Sequence, residues 1–331
     1  MFGMNEIVGQ KYFKDAPQNT LTVTSRFFTL QGEGPYRGYP AFFIRLAKCN
    51  LACSFCDTYF DSGQVMTFDE IFADIDSVIV EFYAKRNMEV PEWARYTPTT
   101  KMVDSTFSTA QQPEWYETTQ HNPRKMVLVI TGGEPTLQRN LTAFLERAQR
   151  EFQYTQIESN GTNPLPLPDS TTFVVSPKCL EKKVDVVRFG SKVTKPMMKA
   201  IRYYEPKKAM LDRADCLKFV LCAPELDQFS PYSEVPEWAH KWAAETGKPI
   251  FVSPMNIYQQ EPQKAKELRA SKQEGEITIE ERSLVDEVIS FWEPGLLDME
   301  KNRRNHEYTA DYAMRHGFIL NLQIHLFASL P

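Results

Sequence analysis

Runs of β-branched and aromatic residues alternate along the chain with stretches whose apolar positions recur at helical spacing. Residues 21–30 (LTVTSRFFTL) predict a strand, and residues 41–46 (AFFIRL) predict a buried strand carrying one arginine. Thr67 and Glu70 form a capping-box pattern ahead of a helix over 67–85, with Ile71, Ile75, Val78, Ile79 and Phe82 on one face. Further strands are predicted at 126–130, 154–157, 172–175, 215–221 and 248–252, and helices at 137–152 and 235–245, the second stopped by Gly247. A last helix is predicted over 300–316. Strands that alternate with helices imply parallel pairing with right-handed crossovers. Six such units make an α/β fold of the incomplete (β/α)6 TIM-like barrel kind, with ligands at the C-terminal ends of the strands.

Two stretches break this rhythm. Residues 86–124 are rich in Pro, Thr, Gln and Trp with little periodicity, and residues 261–300 are polar and charged with one amphipathic stretch at 277–291. Both read as insertions into a single domain that spans 1–331. At 331 residues, 42% of them hydrophobic, the chain can bury a substantial core. A formal net charge of −5 disfavours a general polyanion-binding surface, so direct contact with nucleic acid is not expected. No apolar run of membrane-spanning length occurs, and residues 1–17 lack an apolar signal core, which together predict a cytoplasmic protein with reduced thiols.

That redox setting matters because three of the six cysteines, Cys49, Cys53 and Cys56, fall in one C-x3-C-x2-C loop directly after the second predicted strand. Three thiolates can hold three irons of a [4Fe–4S] cluster, which normally takes four cysteines, and so leave one iron open to a chelating ligand. The competing reading is zinc, which in structural sites wants four closed ligands, and no nearby His or fourth Cys completes such a set. Cys179, Cys216 and Cys222 are scattered and read as small buried hydrophobes. Arg45, at the end of the buried strand, reads either as a carboxylate clamp with a planar two-bond fork or as half of a structural ion pair.

The C-x3-C-x2-C spacing resembles that of the radical S-adenosylmethionine (radical SAM) superfamily. With Gln31-Gly32-Glu33-Gly34 and Arg45 ahead of the cysteines, and Asp57-Thr58 closing them, the chain resembles the 7-carboxy-7-deazaguanine synthase (QueE) family. Thr131-Gly132-Gly133-Glu134 at a strand–turn–helix junction is similar to the superfamily's Gly-Gly-Glu motif, which binds the methionine ammonium. The resemblance covers residues 22–85, 126–260 and 301–331, leaves the two insertions outside, and implies a closing strand over 318–327 with Gln323 and His325 in a Gln-x-His pattern.

The resemblance implies a lyase that contracts 6-carboxy-5,6,7,8-tetrahydropterin to 7-carboxy-7-deazaguanine with loss of ammonia, in queuosine-type 7-deazaguanine biosynthesis. It implies a [4Fe–4S] cluster on Cys49, Cys53 and Cys56, S-adenosyl-L-methionine, and Mg2+ at Thr58. Gln31, Gly32, Glu33, Arg45, Thr131, His325 and the terminal carboxylate of Pro331 are the implied substrate-binding residues, the last set against an ordinary frayed terminus. Gly132, Gly133, Glu134, Ser159, Asn160, Ser176, Lys178, Ser253 and Asn256 are the implied S-adenosylmethionine-binding residues. Ser159-Asn160 also reads as a plain Asn-Gly turn, and Lys178 as a surface lysine. Ser253-Pro254-Met255-Asn256 departs from the family's Gln-Pro-Met-Asp at both ends. No catalytic side chain is singled out. A flavodoxin- or ferredoxin-type electron donor, a homodimer and no membrane association complete what the resemblance implies. The alternatives are another radical SAM enzyme such as a glycyl-radical activase, which leaves Gln31–Gly34, Arg45 and Asp57-Thr58 unexplained, and a non-catalytic iron–sulfur binding protein.

Overall fold

The computed structural model describes residues 7–51, 53–56, 58–104, 115–186, 195–225, 231–259 and 294–324. Its organising element is a nine-stranded sheet. The first strand, β1 (Thr20–Leu30), turns back through residues 31–39 into β2 (Pro40–Leu46), and the two pair antiparallel. Gly34 and Gly38 take positive φ in that turn, and Gln31 closes it by exchanging backbone hydrogen bonds with Gly38 and Tyr39. On its other side β1 pairs antiparallel with the short edge strand β3 (Gln64–Thr67).

Outside the main sheet, β4 (Thr97–Asp104) and β5 (Trp115–Asn122) form an antiparallel pair within the stretch expected to be irregular. Its strand-forming Thr, Val, Trp and Tyr are interspersed with polar residues, so no hydrophobic alternation announces the pair.

From β2 onward the sheet is parallel. The order continues through β6 (Arg124–Gly132), β7 (Phe152–Ser159), β8 (Thr171–Val175), β11 (Cys216–Leu221), β12 (Ile250–Pro254) and β13 (Ile319–Leu320). Between β8 and β11 the chain makes a second antiparallel hairpin, β9 (Cys179–Val186) with β10 (Lys195–Tyr203). Helices α1 (Phe68–Ala84), α2 (Leu141–Glu151), α3 (Lys208–Arg213), α4 (Glu237–Thr246) and α5 (Met299–His316) fill most of the crossovers.

The fold is therefore a mixed α/β architecture with a large, mainly parallel sheet. The expected strict alternation of strand and helix is broken between β7 and β8, where residues 160–170 cross without a helix. Among the described residues no pairing joins β13 to β3, so no ladder closes the sheet into a barrel. Of the closing strand expected over 318–327, only Ile319–Leu320 pairs as a strand among the described residues, and residues 321–324 leave the strand; residues 325–327 and the amphipathic stretch 277–291 lie outside the described residues.

Strand alternation assigns the two faces. In β2, Phe42, Ile44 and Leu46 join the main core with Leu128 and Ile130 of β6 and Ile75, Phe144 and Leu145 of the helices, whereas Ala41 and Phe43 turn the other way beside Phe27, Val127 and Val129. Each fully buried side chain of the main core contributes about 1.5–3 kcal/mol. The capping box holds as predicted: the Glu70 amide donates to Thr67 Oγ1 and the Thr67 amide donates to the Glu70 carboxylate. Gly247 ends α4 in the left-handed region.

Helix α5 fixes the two loops that leave β11 and β12. Fully buried Asn305 accepts from the Ala223 amide at 2.8 Å and donates to the Met255 carbonyl at 2.8 Å. One turn earlier, Asn302 accepts from the Ile257 amide at 3.0 Å and donates to the Ile257 carbonyl at 2.6 Å. Asn305→Ala orphans two buried backbone groups, and urea unfolding is expected to show a loss of about 2–4 kcal/mol; a change under about 0.5 kcal/mol would contradict this account of the strand-end loops.

Candidate active site

The site is built on a backbone crossing at the C-terminal end of β6. Gly132 has φ +127°, and a Cβ there would stand 2.2 Å from both the amide and the carbonyl oxygen of Leu46. A Cβ on Gly133 would lie 1.9 Å from the Lys48 carbonyl oxygen. Only residues without a side chain permit this approach. It lets the Gly133 amide donate to the Leu46 carbonyl at 2.9 Å and the Glu134 amide to the Lys48 carbonyl at 2.8 Å. The start of the cysteine loop is thus held to β6 past the end of regular pairing.

A cavity of about 270 Å³ opens beside this crossing. Cys49, Cys53, Cys56 and Thr58 line it from the loop, Gln31, Glu33 and Arg45 from the β1–β2 side, and Thr131, Gly132 and Gly133 from β6. Ser159, Asn160, Ser176, Lys178, Ser253 and Asn256 line it from the ends of the later strands. Of the residues singled out from the sequence, Gly32 and Glu134 stand behind the wall rather than in it. His325, Pro331 and Asp57 lie outside the described residues.

Glu134 is fully buried, and protein donors engage both of its oxygens. Oε1 accepts from the Thr136 amide (3.0 Å), Thr136 Oγ1 (2.6 Å) and Ser159 Oγ (2.7 Å), and Oε2 accepts from the Asn160 amide (2.7 Å). Burial pushes its carboxyl above the usual range and these four bonds pull it back. Here Glu134 ties the turn after β6 to the turn after β7. The Ser159-Asn160 turn is also a real Asx turn, with Asn160 Oδ1 accepting from the Thr162 amide at 3.0 Å and Gly161 at φ +77°. Asn160 Nδ2 donates to Asn50 Oδ1 at 3.0 Å and approaches Cys49 Sγ at 3.9 Å, so turn and cavity wall are one feature.

The three loop thiols sense one another. Burial, then the charge of Glu134 and to a lesser degree of Cys56, pushes Cys49 up to about 12. Burial holds Cys53 well above the ordinary thiol range, with Lys178 pulling it back and Cys56 and Cys49 pushing it further. As thiolates these groups need cationic compensation. No group of three or more His, Cys, Asp or Glu among the described residues forms a ready single-metal site. Three thiols around one cavity, with no fourth, fit a multi-iron cluster with one open corner better than a closed zinc site. Cys179, Cys216 and Cys222 are buried and take no part in the cavity lining, as their scatter predicted.

A buried charge network lines the same cavity. Lys218, in the apolar strand β11, donates to Glu33 Oε2 at 2.5 Å and to Glu158 Oε2 at 3.0 Å. Burial alone would lower its ammonium, but Glu158 and Glu33 more than offset that and hold it above its ordinary range. Glu158 Oε1 accepts from Gln31 and Gln156, both at 3.1 Å, and Glu33 Oε1 accepts from Ser253 Oγ at 3.3 Å. Lys178 lies in the cavity wall rather than on the outer surface and donates to the carbonyl and hydroxyl of Ser176 at 2.9 and 2.5 Å. Asn256 donates to Gln323 Oε1 at 3.2 Å.

Above the network, Phe27 and Phe43 stack at 5.1 Å with a 7° interplanar angle, and the Arg45 guanidinium sits 4.9 Å from the Phe27 ring centre. A flat aromatic wall ending in a cation, next to two carboxyl groups, suits a planar ligand that carries both N–H donors and a carboxylate. Glu158, Lys218 and the Phe27–Phe43 pair escaped the sequence reading. Lys218 had a usable signal, a lone charge inside Leu217-Lys218-Phe219-Val220.

No family model matches the chain. Among curated proteins, it is 34% identical over 140 residues to the 7-carboxy-7-deazaguanine synthase of Bacteroides thetaiotaomicron, covering 42% of this chain and 52% of that one. It is 29% identical over 269 residues to the 7-carboxy-7-deazaguanine synthase of Rhodospirillum rubrum, covering 77% and 82%. The chain spans about half the length of several of the curated relatives it matches. Among solved structures it aligns with QueE from Escherichia coli at a TM-score of 0.40 and 20% identity, over 82% of this chain and 96% of that one. The resemblance read from the motifs is borne out by the curated relatives.

The crossing makes a sharp prediction. In Gly133→Ala the Lys48 carbonyl must move away, so thermal or urea unfolding is expected to show a loss of at least about 1–3 kcal/mol. Anaerobic iron uptake should fall with it, because Cys49 follows Lys48. Wild-type stability and iron uptake in this variant would mean that the crossing does not position the loop.

Proposed function

We propose that the chain is a 7-carboxy-7-deazaguanine synthase, converting 6-carboxy-5,6,7,8-tetrahydropterin to 7-carboxy-7-deazaguanine and ammonia. The observation that carries this reading is one cavity lined by the three loop thiols, the Gly132-Gly133 turn, Ser159-Asn160, Arg45 and Glu33. A glycyl-radical activase gives no account of the Arg45 wall or the Gln31–Glu158–Lys218–Glu33 network, and neither does a binding-only iron–sulfur protein.

In this reading Cys49, Cys53 and Cys56 hold the [4Fe–4S] cluster, and Gly132, Gly133, Ser159, Asn160, Ser176, Lys178, Ser253 and Asn256 surround S-adenosylmethionine. Glu134 keeps its expected place in that set through the turns it fixes. When bound, cluster and cofactor supply a 5′-deoxyadenosyl radical able to take hydrogen from C6 of the pterin. The protein's own part is to bind, orient and exclude water. Arg45 holds the substrate carboxylate with a two-bond fork, and the Phe27–Phe43 stack supports the flat ring. Glu158, Glu33 and Gln31 receive the ring's N–H edge, with Lys218 holding both carboxyl groups in direction. Thr58 offers a hard oxygen to Mg2+, while Thr131 and His325 complete the substrate side.

The parallel run of strands is read as the incomplete barrel of the radical SAM type, a single domain in which 86–124 and 261–300 are insertions. A homodimer, a cytoplasmic location and a flavodoxin- or ferredoxin-type donor follow from the same reading. Among the described residues, no helix is long and apolar enough to cross a membrane.

The test is an anaerobic reaction of reconstituted protein with dithionite, S-adenosylmethionine, Mg2+ and 6-carboxytetrahydropterin, with products read by mass spectrometry. 7-Carboxy-7-deazaguanine is the expected product; 5′-deoxyadenosine without it would refute the substrate, and neither compound from a cluster-loaded protein would refute the reaction. Arg45→Ala is expected to weaken substrate binding about 10- to 100-fold, since a hydrogen bond to a charged group contributes about 1.5–3 kcal/mol, with iron content unchanged.

A further inference from the structure

The segment between Cys53 and Cys56 is gripped from outside the strand-end motifs. The Ser54 amide donates to both carboxylate oxygens of Glu181, at 3.0 and 2.9 Å. Glu181 sits near the root of the β9–β10 hairpin, where it pairs across the ladder with buried Ala200. The root is closed at its base by the Lys178 carbonyl, which accepts from the Tyr204 amide at 2.9 Å.

A second grip falls on the next loop residue. Phe55 packs edge-on against Tyr232 at 5.1 Å, and Tyr232 is fully buried. The Tyr232 hydroxyl accepts from the Cys179 amide at 3.1 Å and donates to Glu181 Oε1 at 3.0 Å. One carboxylate and one phenol therefore link the hairpin root to two successive residues inside the cysteine loop. Ser54 is itself buried, so without Glu181 its amide would lose a strong acceptor. Glu181 also brings a negative charge whose influence reaches Cys53.

We propose that Glu181 is a positioning residue for the iron–sulfur centre: it holds the Cys53–Cys56 segment in its metal-receiving shape and lowers the reduction potential of the bound cluster. This rests on the reading of Cys49, Cys53 and Cys56 as cluster ligands. The physical basis is direct. A fixed negative charge beside the cluster opposes the arrival of an electron, and occupying the Ser54 amide keeps that donor from the cluster sulfurs, where hydrogen bonds would raise the potential.

Three variants separate charge from shape. Glu181→Gln keeps one amide acceptor and removes the charge, Glu181→Ala removes both, and Tyr232→Phe removes the hydroxyl that steadies the carboxylate. Each is reconstituted anaerobically with iron and sulfide. Iron per chain is counted, and the cluster midpoint is followed by electron paramagnetic resonance during a dithionite titration, with far-ultraviolet circular dichroism as a control for folding. Near-wild-type iron with a midpoint shifted positive is expected for Glu181→Gln, and a several-fold loss of iron for Glu181→Ala, with Tyr232→Phe intermediate. An unchanged midpoint in Glu181→Gln, or full iron retention in folded Glu181→Ala, would overturn the proposal. A wild-type protein that takes up no iron would instead overturn the cluster reading on which it rests.

Discussion

The close contact between the Gly132-Gly133 backbone and the backbone of Leu46–Lys48 is the constraint on which the site depends. It is steric before it is chemical: two missing side chains allow two extra hydrogen bonds beyond the regular β2–β6 ladder. Those bonds aim the chain from the end of β2 across the strand ends, so Cys49 faces the cavity instead of following the sheet outward. Glu134, the next residue, carries the constraint to β7 by receiving Ser159 and Asn160. One short turn therefore joins the cysteine loop and the Ser-Asn turn, both of which wall the cavity.

Electrostatics divides the cavity into two halves with different needs. At the loop, Cys49 and Cys53 are driven toward their neutral form by burial and stay compatible with the protein until a cationic group arrives. In the other half, Lys218 satisfies Glu33 and Glu158 internally, and the surrounding amides and hydroxyl take up the remaining carboxylate oxygens. Breaking such a buried set from one member leaves an uncompensated charge, which costs about 3–5 kcal/mol. On the proposed reading the loop receives a metal group and the carboxyl groups a hydrogen-bonding organic ring. Arg45 stands over the aromatic wall of the second half.

Much of this was legible in the sequence, for reasons visible in particular residues. The strands of the parallel run are apolar blocks ending in punctuated motifs, and Gly132, Gly133, Asn160 and Lys178 could be placed at strand ends before any coordinates. The capping box at Thr67 and the stop at Gly247 rely on local geometry alone, so they were readable too. What escaped depends on contacts far apart in the chain. Glu158 and Lys218 meet Glu33 only because the sheet order sets β7, β8 and β11 side by side. The β4–β5 and β9–β10 hairpins lie outside the main sheet, and their residues carry too little alternation to stand out. The inward turn of Glu134 was hidden for the same reason, since its four donors come from Thr136, Ser159 and Asn160 together.

If the cysteine loop and the strand ends make one site, a cluster held there would offer its open iron to S-adenosylmethionine. Electron–nuclear double resonance on the reduced, reconstituted protein tests it most directly, using S-adenosylmethionine labelled with 15N and 17O in its amino and carboxylate groups. The account predicts hyperfine coupling from both labels to the cluster. A fully loaded cluster showing coupling to neither label would contradict it.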